Sequence, residues 1–189
     1  KGKCTTDHIS PAGKWLEFRG HLDKISDNVF SGAVNAFSDK VGKGKNILTE
    51  MEENFSVIAR HYQNHDRGWV AIGDNNYGEG SSREHAAMEP RYLGCRAVLA
   101  KSFARIAETN LKKQGILPLW FSREEDYEKI LEDDIVDIDS SVKVNEPVYV
   151  TLKHSDGSVE VMEMKHTFSA EQLEWFKHGS ALNWLREKN

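Results

Sequence analysis

WVAIGDNNYGEGSSREHAAMEPRYLGCRAVLA, residues 69–100, contains the pattern from which the fold follows. Its two ends, Trp69–Gly73 and Arg96–Ala100, are short and almost wholly apolar, which is typical of strands buried on both faces of a sheet. Between them a glycine-rich turn leads into a helical pattern from about Arg83 to Leu93. This strand–helix–strand order predicts a βαβ unit with a right-handed crossover.

The rest of the chain extends this unit. Three further helices are predicted: an amphipathic helix over Ile47–Asn64, a helix over Ser102–Gly115 with Ser102 as N-cap and Gly115 after its end, and a helix over Ser169–Asn189 with a capping box and a break at Gly179. A strand is predicted over Ile116–Phe121, with an edge or bulge at Pro118. A hairpin is predicted over Glu146–Met164, with its turn at Asp156-Gly157. We therefore predict an α/β fold with a central parallel sheet, an antiparallel layer and flanking helices. The acidic residues between 124 and 134 are interpreted as a solvated face.

Composition narrows the class of protein. The chain has 189 residues, of which 39% are hydrophobic and 29% charged, as expected for one globular domain. It contains no apolar run near 18 residues, which argues against a membrane span. The net charge of −5 argues against a nucleic-acid partner, because binding to phosphates needs a basic surface. Two cysteines form neither a disulfide framework nor a zinc pattern, so we expect a reducing compartment.

The start of the chain is unusual. Lys1 is not an initiator methionine, no signal peptide follows, and a dense polar motif, CTTDHISPAG, begins at Cys4. We expect the chain to be a piece of a longer protein.

The turn between residues 75 and 91 has the chemistry of an anion site. A helix N-terminus offers unpaired N–H groups and partial positive charge, and Gly78 and Gly80 allow backbone to approach a ligand. Ser81 and Glu84 have capping-box spacing, and Arg83 can bind a carboxylate with two hydrogen bonds. The turn has neither the Gly-Lys-Ser/Thr ending of a phosphate-binding loop nor the third glycine of a dinucleotide-binding loop. From these residues alone, a small carboxylate site and a merely structural cap are about equally supported.

The N-terminal motif leaves similar alternatives. Asp7, His8 and Ser10 form either an Asp-driven turn with a solvent-facing histidine or part of an acid–base site. Arg19 is either a surface ion-pair residue or a substrate ligand.

Three stretches together resemble the C-terminal domain of aconitase of the mitochondrial and related bacterial type. They are KGKCTTDHISPAGKWLEFRGHLDKISDN, VAIGDNNYGEGSSREHAAMEPRYLGCRAVLAKSFARIAETNLKKQGILPLWF and HTFSAEQLEWFKHGSALN. The resemblance implies that residues 1–189 form the family's swivelling β/β/α domain. It also implies a place in the mitochondrial matrix, or in the cytoplasm if the source is bacterial.

The resemblance further implies a role in a hydro-lyase of the tricarboxylic acid cycle, which interconverts citrate and isocitrate through cis-aconitate. Ser81 matches the family's proposed base, Ser82, Arg83 and Arg19 match substrate ligands, and Asp7 matches an aspartate of the active-site network. Thr6 and His8 lie beside Asp7. The family's 4Fe–4S cluster is held by cysteines of the other domains, which this chain lacks. We therefore expect no metal ligand in this chain, partnership with the remaining aconitase domains, and no activity of the chain alone.

Two alternatives remain at this point. One is a separate small subunit of an isopropylmalate-isomerase-type hydro-lyase, which shares a related Gly-Ser-Ser-Arg-Glu-His-Ala turn. The other is a non-catalytic module that binds anions or RNA.

Overall fold

The computed structural model describes all residues, 1–189, and confirms the α/β fold class. No helix is long and apolar enough to span a membrane. The helices are α1 (Thr6–Ile9), α2 (Leu22–Ile25), α3 (Phe55–Asn64), α4 (His85–Tyr92), α5 (Arg105–Lys113), α6 (Ala170–Lys177) and α7 (Ala181–Lys188), with short 3₁₀ segments at Lys14–Phe18, Ser26–Asn28 and Glu124–Lys129. The strands are β1 (Lys43–Lys45), β2 (Glu52–Asn54), β3 (Trp69–Gly73), β4 (Cys95–Ala100), β5 (Leu117–Phe121), β6 (Ile135–Ile138), β7 (Val148–Lys153) and β8 (Val159–Lys165).

Six strands form the central sheet in the order β3-β4-β5-β8-β7-β6, and β1 pairs with β2 separately. The predicted parallel unit is confirmed, because β3, β4 and β5 are parallel neighbours. Pro118 lies in the part of β5 that pairs only with β4, since pairing with β8 begins at Trp120. The missing N–H of the proline therefore faces no partner strand there.

The predicted antiparallel hairpin is confirmed as β7 and β8, but it does not belong to a separate sheet. Phe121 of β5 pairs with Met164 of β8, so the antiparallel strands continue the parallel sheet. The edge strands β3 and β6 nevertheless line the same cavity of about 920 Å³. Buried side chains of β4 and β5 share one core cluster with those of β7 and β8, so the antiparallel half packs as a layer over the parallel half.

The core alternates along β4 as expected for a strand buried on both faces. Ala97 and Leu99 belong to a cluster that includes the hairpin residues, while Val98 and Ala100 belong to a second cluster under α4 and α5. This second cluster fixes the two helices that carry the candidate site.

The helix predicted over Ile47–Asn64 was placed too early. The Asn46 side chain accepts a hydrogen bond from the Leu48 N–H at 3.0 Å, and Glu50 has a left-handed φ of 60°. This turn prevents helix formation, and the chain then makes strand β2 before α3 begins at Phe55.

The interpretation of the acidic run as a solvated face was wrong for two residues. The Asp126 side chain is 1% exposed and binds Arg123 and Lys129 at 3.0 Å and 2.9 Å. Asp134 is 2% exposed and lies 2.6 Å from His154 Nδ1. Both carboxylates are buried with partners, as buried charges generally are.

Candidate active-site turn

The turn after β3 is fastened to the loop after β4. The Tyr77 N–H donates to the Ser102 carbonyl at 3.0 Å, and the Ala104 N–H donates to the Tyr77 carbonyl at the same distance. Ser102 is therefore not the N-cap of α5, which is Ala104; the Ser102 hydroxyl instead accepts from the Asn76 N–H at 2.8 Å. The two loops form one surface at the carboxyl ends of parallel strands, where open α/β sheets bind ligands.

Two glycines allow the turn to pack closely against neighbouring residues. Gly78 has φ 79° and Gly80 has φ 114°, both in the left-handed region that favours glycine. A Cβ at Gly78 would lie 2.3 Å from the Ala107 Cβ, and one at Gly80 would lie 3.0 Å from Thr6 Oγ1. Both positions therefore require glycine for conformation and for space.

The predicted capping box is not formed. Helix α4 begins at His85, and its N-cap, Glu84, makes no capping hydrogen bond through its side chain. The backbone N–H groups of residues 81–84 have no acceptor within the chain, and neither serine hydroxyl has a partner. The N–H groups of Ala86 and Ala87, in the first helical turn, instead donate to the carbonyls of Arg83 and Glu84. The free N–H groups of residues 81–84, at and just before the N-cap Glu84, remain available to an anion.

Arg83 and Asp7, both predicted site residues, are in contact. The Arg83 Nη1 lies 2.5 Å from Asp7 Oδ1 and donates to the Ser10 carbonyl at 2.9 Å. The Arg83 side chain is 24% exposed, and its Nε and Nη2 have no partner in the chain. Since a guanidinium has five N–H donors, this arginine is held on one side and free on the other.

Arg19 lies beside the turn through its backbone. His85 Nε2 donates to the Arg19 carbonyl at 3.2 Å, which brings the 3₁₀ segment Lys14–Phe18 against the start of α4. The exposed Arg19 side chain has no partner in the chain and does not line the cavity described next. Asp7 is brought to Ser81, Ser82 and Arg83 by the contacts of the Arg83 side chain with Asp7 and Ser10.

A cavity of about 300 Å³ opens beside the turn and is lined by Ser81, Ser82 and Arg83. Its floor is apolar, and one wall is α5. Two polar residues of α5 that sequence analysis missed, Arg105 and Asn110, also line it. Their position could have been predicted from the order of the strands. Helix α5 follows the strand next to β3, and loops after neighbouring parallel strands meet at one edge of the sheet.

The geometry thus defines an α/β domain with a polar turn, free backbone N–H groups and a cavity at the carboxyl edge of its sheet. Residues 1–124 match the family profile described as "Aconitase C-terminal domain". This match covers well over half of the chain, and the chain belongs to the aconitase C-terminal domain family.

Two relatives are similar over nearly all of the chain. It is 54% identical to the "Probable aconitate hydratase, mitochondrial" of Caenorhabditis elegans and 53% identical to the "Aconitate hydratase, mitochondrial" of Gracilaria gracilis, over 98% of its length in each case. The chain spans 24% of the length of each of these relatives.

The fold is similar to that of a solved structure, the 3-isopropylmalate dehydratase (LeuD) of Methanocaldococcus jannaschii. The TM-score is 0.65 with 25% sequence identity, over 97% of this chain and 87% of that one. The rival interpretation therefore shares the architecture, whereas the relatives at 50% identity and above are aconitate hydratases.

Proposed function

We propose that residues 1–189 are the substrate-binding, base-bearing domain of an aconitate hydratase that interconverts citrate and isocitrate through cis-aconitate. The observation that carries this proposal is the convergence of Ser81, Ser82 and Arg83 on one cavity beside the free N–H groups of residues 81–84. A polycarboxylate suits this arrangement because its charges meet a helix N-terminus and a guanidinium.

The groups that bind the substrate carboxylates would be Arg83 and Ser82 in the cavity, and Arg19, whose exposed side chain lies outside the cavity but beside the turn. Arg83 presents its free Nε and Nη2 while Asp7 and the Ser10 carbonyl hold Nη1. Asp7 is thereby a positioning residue for the arginine. Arg105, which lines the same cavity, adds a further positive charge and suits a ligand with three carboxylates.

Ser81 would act as the base that takes the substrate proton. A serine hydroxyl is a weak base unless its environment stabilises the alkoxide. No histidine or carboxylate in the chain contacts the Ser81 hydroxyl, so activation has to come from positive charge. The unpaired N–H groups of the turn and the nearby Arg83 supply such a field.

The family implies a 4Fe–4S cluster, and the residues of this chain do not fit one. Such clusters are held by cysteine thiolates, but burial raises the pKa of both Cys4 and Cys95 to about 12. No group of three or more His, Cys, Asp or Glu side chains is placed to hold a metal ion. We propose that the remaining domains of the enzyme ligate the cluster and complete the site, and that the enzyme works in the mitochondrial matrix.

Complementation tests this function. The chain is mixed with the remaining domains carrying a reconstituted cluster, and citrate–isocitrate conversion is followed. Arg83→Lys should raise the KM for citrate at least about tenfold with a smaller change in kcat, because lysine keeps the charge but loses the paired hydrogen bonds. A matched control is Arg186→Lys, an exposed arginine of α7 outside the cavity. No turnover by the wild-type mixture, or an unchanged KM for Arg83→Lys, would reject the assignment.

A second candidate is an isopropylmalate dehydratase function, favoured by the shared fold and by the apolar cavity floor, which includes Ile9 and Leu111. The two substrates differ where citrate carries a third carboxylate and isopropylmalate an isopropyl group. Comparing kcat/KM for the two substrates in the same complementation mixture separates these functions.

A further inference from the structure

Glu89 is a buried carboxyl group beneath the anion-binding turn. It lies on α4, is 0% exposed, and its Oε1 accepts a hydrogen bond of 2.7 Å from Ser10 Oγ. Its Oε2 is buried and has no hydrogen-bond partner, and no cation pairs with the carboxyl group. A buried polar group left half satisfied is rare and needs a reason.

The carboxyl group is neutral at neutral pH. Burial raises the pKa of Glu89 to about 8, although the hydrogen bond from Ser10 acts in the opposite direction. Glu89 therefore does not act as a counter-ion to Arg83. What it offers is a rigid hydrogen-bonding group in an apolar layer, where such bonds are strong.

Ser10, the hydrogen-bond partner of the Glu89 carboxyl group, also binds Arg83. The Ser10 hydroxyl is held by Glu89, its carbonyl accepts from Arg83 Nη1 at 2.9 Å, and its N–H donates to the Thr6 carbonyl at 2.9 Å. Ser10 itself is 4% exposed. Arg83, just before α4, and Glu89, within α4, thus both bind Ser10 at the end of α1.

We propose that Glu89 is a positioning residue of the anion site, which fixes Ser10 and through its carbonyl the orientation of the Arg83 guanidinium. The identity of the ligand in this inference rests on the proposed function, but the contact of Glu89 with Ser10 does not. Glu89 touches no substrate, and its effect is on binding.

The test compares Glu89→Leu, Glu89→Gln and Ser10→Ala in the complete enzyme that contains this chain. Glu89→Leu and Ser10→Ala should each raise the KM for citrate about tenfold and change kcat about twofold or less, because both lose the hydrogen bond that orients the arginine support. Glu89→Gln keeps an acceptor for Ser10 and should restore the KM to within about twofold of wild type.

The double variant Glu89→Leu/Ser10→Ala separates positioning from general loss of stability. If Glu89 acts through Ser10, the KM of the double variant should be no higher than that of either single variant. If the two residues acted independently, their separate increases in KM would multiply. Asp126→Asn, which alters a buried carboxylate outside the cavity, is the control: it should lower the unfolding temperature and leave the KM unchanged. Multiplying effects, or a KM unmoved in Glu89→Leu and Ser10→Ala, would overturn the inference.

A readout without turnover keeps the two proposals distinguishable. The Arg83 Nε–H resonance in ¹⁵N NMR spectra of the chain should shift and broaden in Ser10→Ala and in Glu89→Leu but not in Glu89→Gln. Failure of citrate turnover in the wild-type enzyme rejects the proposed function alone, whereas an Arg83 resonance unmoved in all three variants rejects the role of Glu89.

Discussion

The Asp7 carboxylate and the Arg83 guanidinium form a direct ion pair, with 2.5 Å between Oδ1 and Nη1. The two residues are far apart in sequence, one in α1 and the other just before α4, and their contact joins the N-terminal motif to the glycine-rich turn. Asp7 remains 69% exposed, so the pair stabilises the fold little and serves mainly to orient the arginine.

Asp7→Ala should therefore weaken substrate binding modestly. Exposed ion pairs contribute up to about 1 kcal/mol, which corresponds to roughly a fivefold rise in the KM for citrate. The measurement is steady-state kinetics of the complete enzyme at low and high salt. Asp137→Ala, which removes another exposed, paired carboxylate outside the cavity, should leave the KM unchanged. A KM equal to wild type in Asp7→Ala would show that Arg83 does not depend on this contact.

Gly78→Ala should destabilise the chain by about 2–4 kcal/mol. The new methyl group would meet Ala107 at 2.3 Å, and φ 79° is unfavourable for alanine, so the turn would be pushed off α5. Gly157→Ala is a matched control with φ 87° and nothing within 4 Å, and should cost only about 1 kcal/mol. Urea unfolding measures the stability of both variants. Equal losses of stability would mean that close approach to α5 does not matter.

Glu89→Gln should change how stability depends on pH. The native carboxyl group has a pKa of about 8 against an ordinary value of 4.5, so between these values the folded state holds a proton that the unfolded state has released. The free energy of unfolding therefore falls by up to about 1.4 kcal/mol per pH unit as pH rises through this window, and levels off above pH 8.

Glutamine does not titrate, so the stability of Glu89→Gln relative to wild type should improve steadily from pH 5 to about pH 8. Urea midpoints of both proteins measured across this range provide the test. Parallel curves would show that Glu89 is ionised in the folded chain at neutral pH.

The purified chain alone should bind no iron–sulfur cluster and should not convert citrate to isocitrate. Cys95 is buried and Cys4 partly buried, burial raises the pKa of both thiols to about 12, and no group of side chains is placed to hold a metal ion. Reconstitution with iron and sulfide followed by absorbance and turnover measurements checks this. Cluster absorbance bound in stoichiometric amounts would contradict it.

The parallel core could be predicted because its signal is local. Trp69–Gly73 is apolar at nearly every position and bounded by glycines, and the structure has a strand with those bounds. The positive φ values of Gly78 and Gly80 were likewise predictable from residue type. Family resemblance then favoured an anion site over a helix cap, a choice that local chemistry alone left open.

The features that were missed depend on contacts distant in sequence. Ser81 and Glu84 have capping-box spacing, but the turn is bonded to residues 4–6 and 102–104, and no side chain caps α4. Asp134 looked solvated because its partner, His154, comes twenty residues later. Arg105 lines the cavity because α5 packs beside α4, which the order of the parallel strands could have indicated but the spacing of residues could not.

The most direct test of the account is the turnover of Ser81→Ala in the complete, cluster-loaded enzyme. If Ser81 takes the substrate proton within a site whose ligands remain intact, kcat should fall by about 10²–10⁴-fold while the KM for citrate stays within about threefold. Ser180→Ala, which removes a hydroxyl at the start of α7 away from the cavity, should retain wild-type turnover. Nearly full turnover by Ser81→Ala would contradict the claim that this turn carries the base of the reaction.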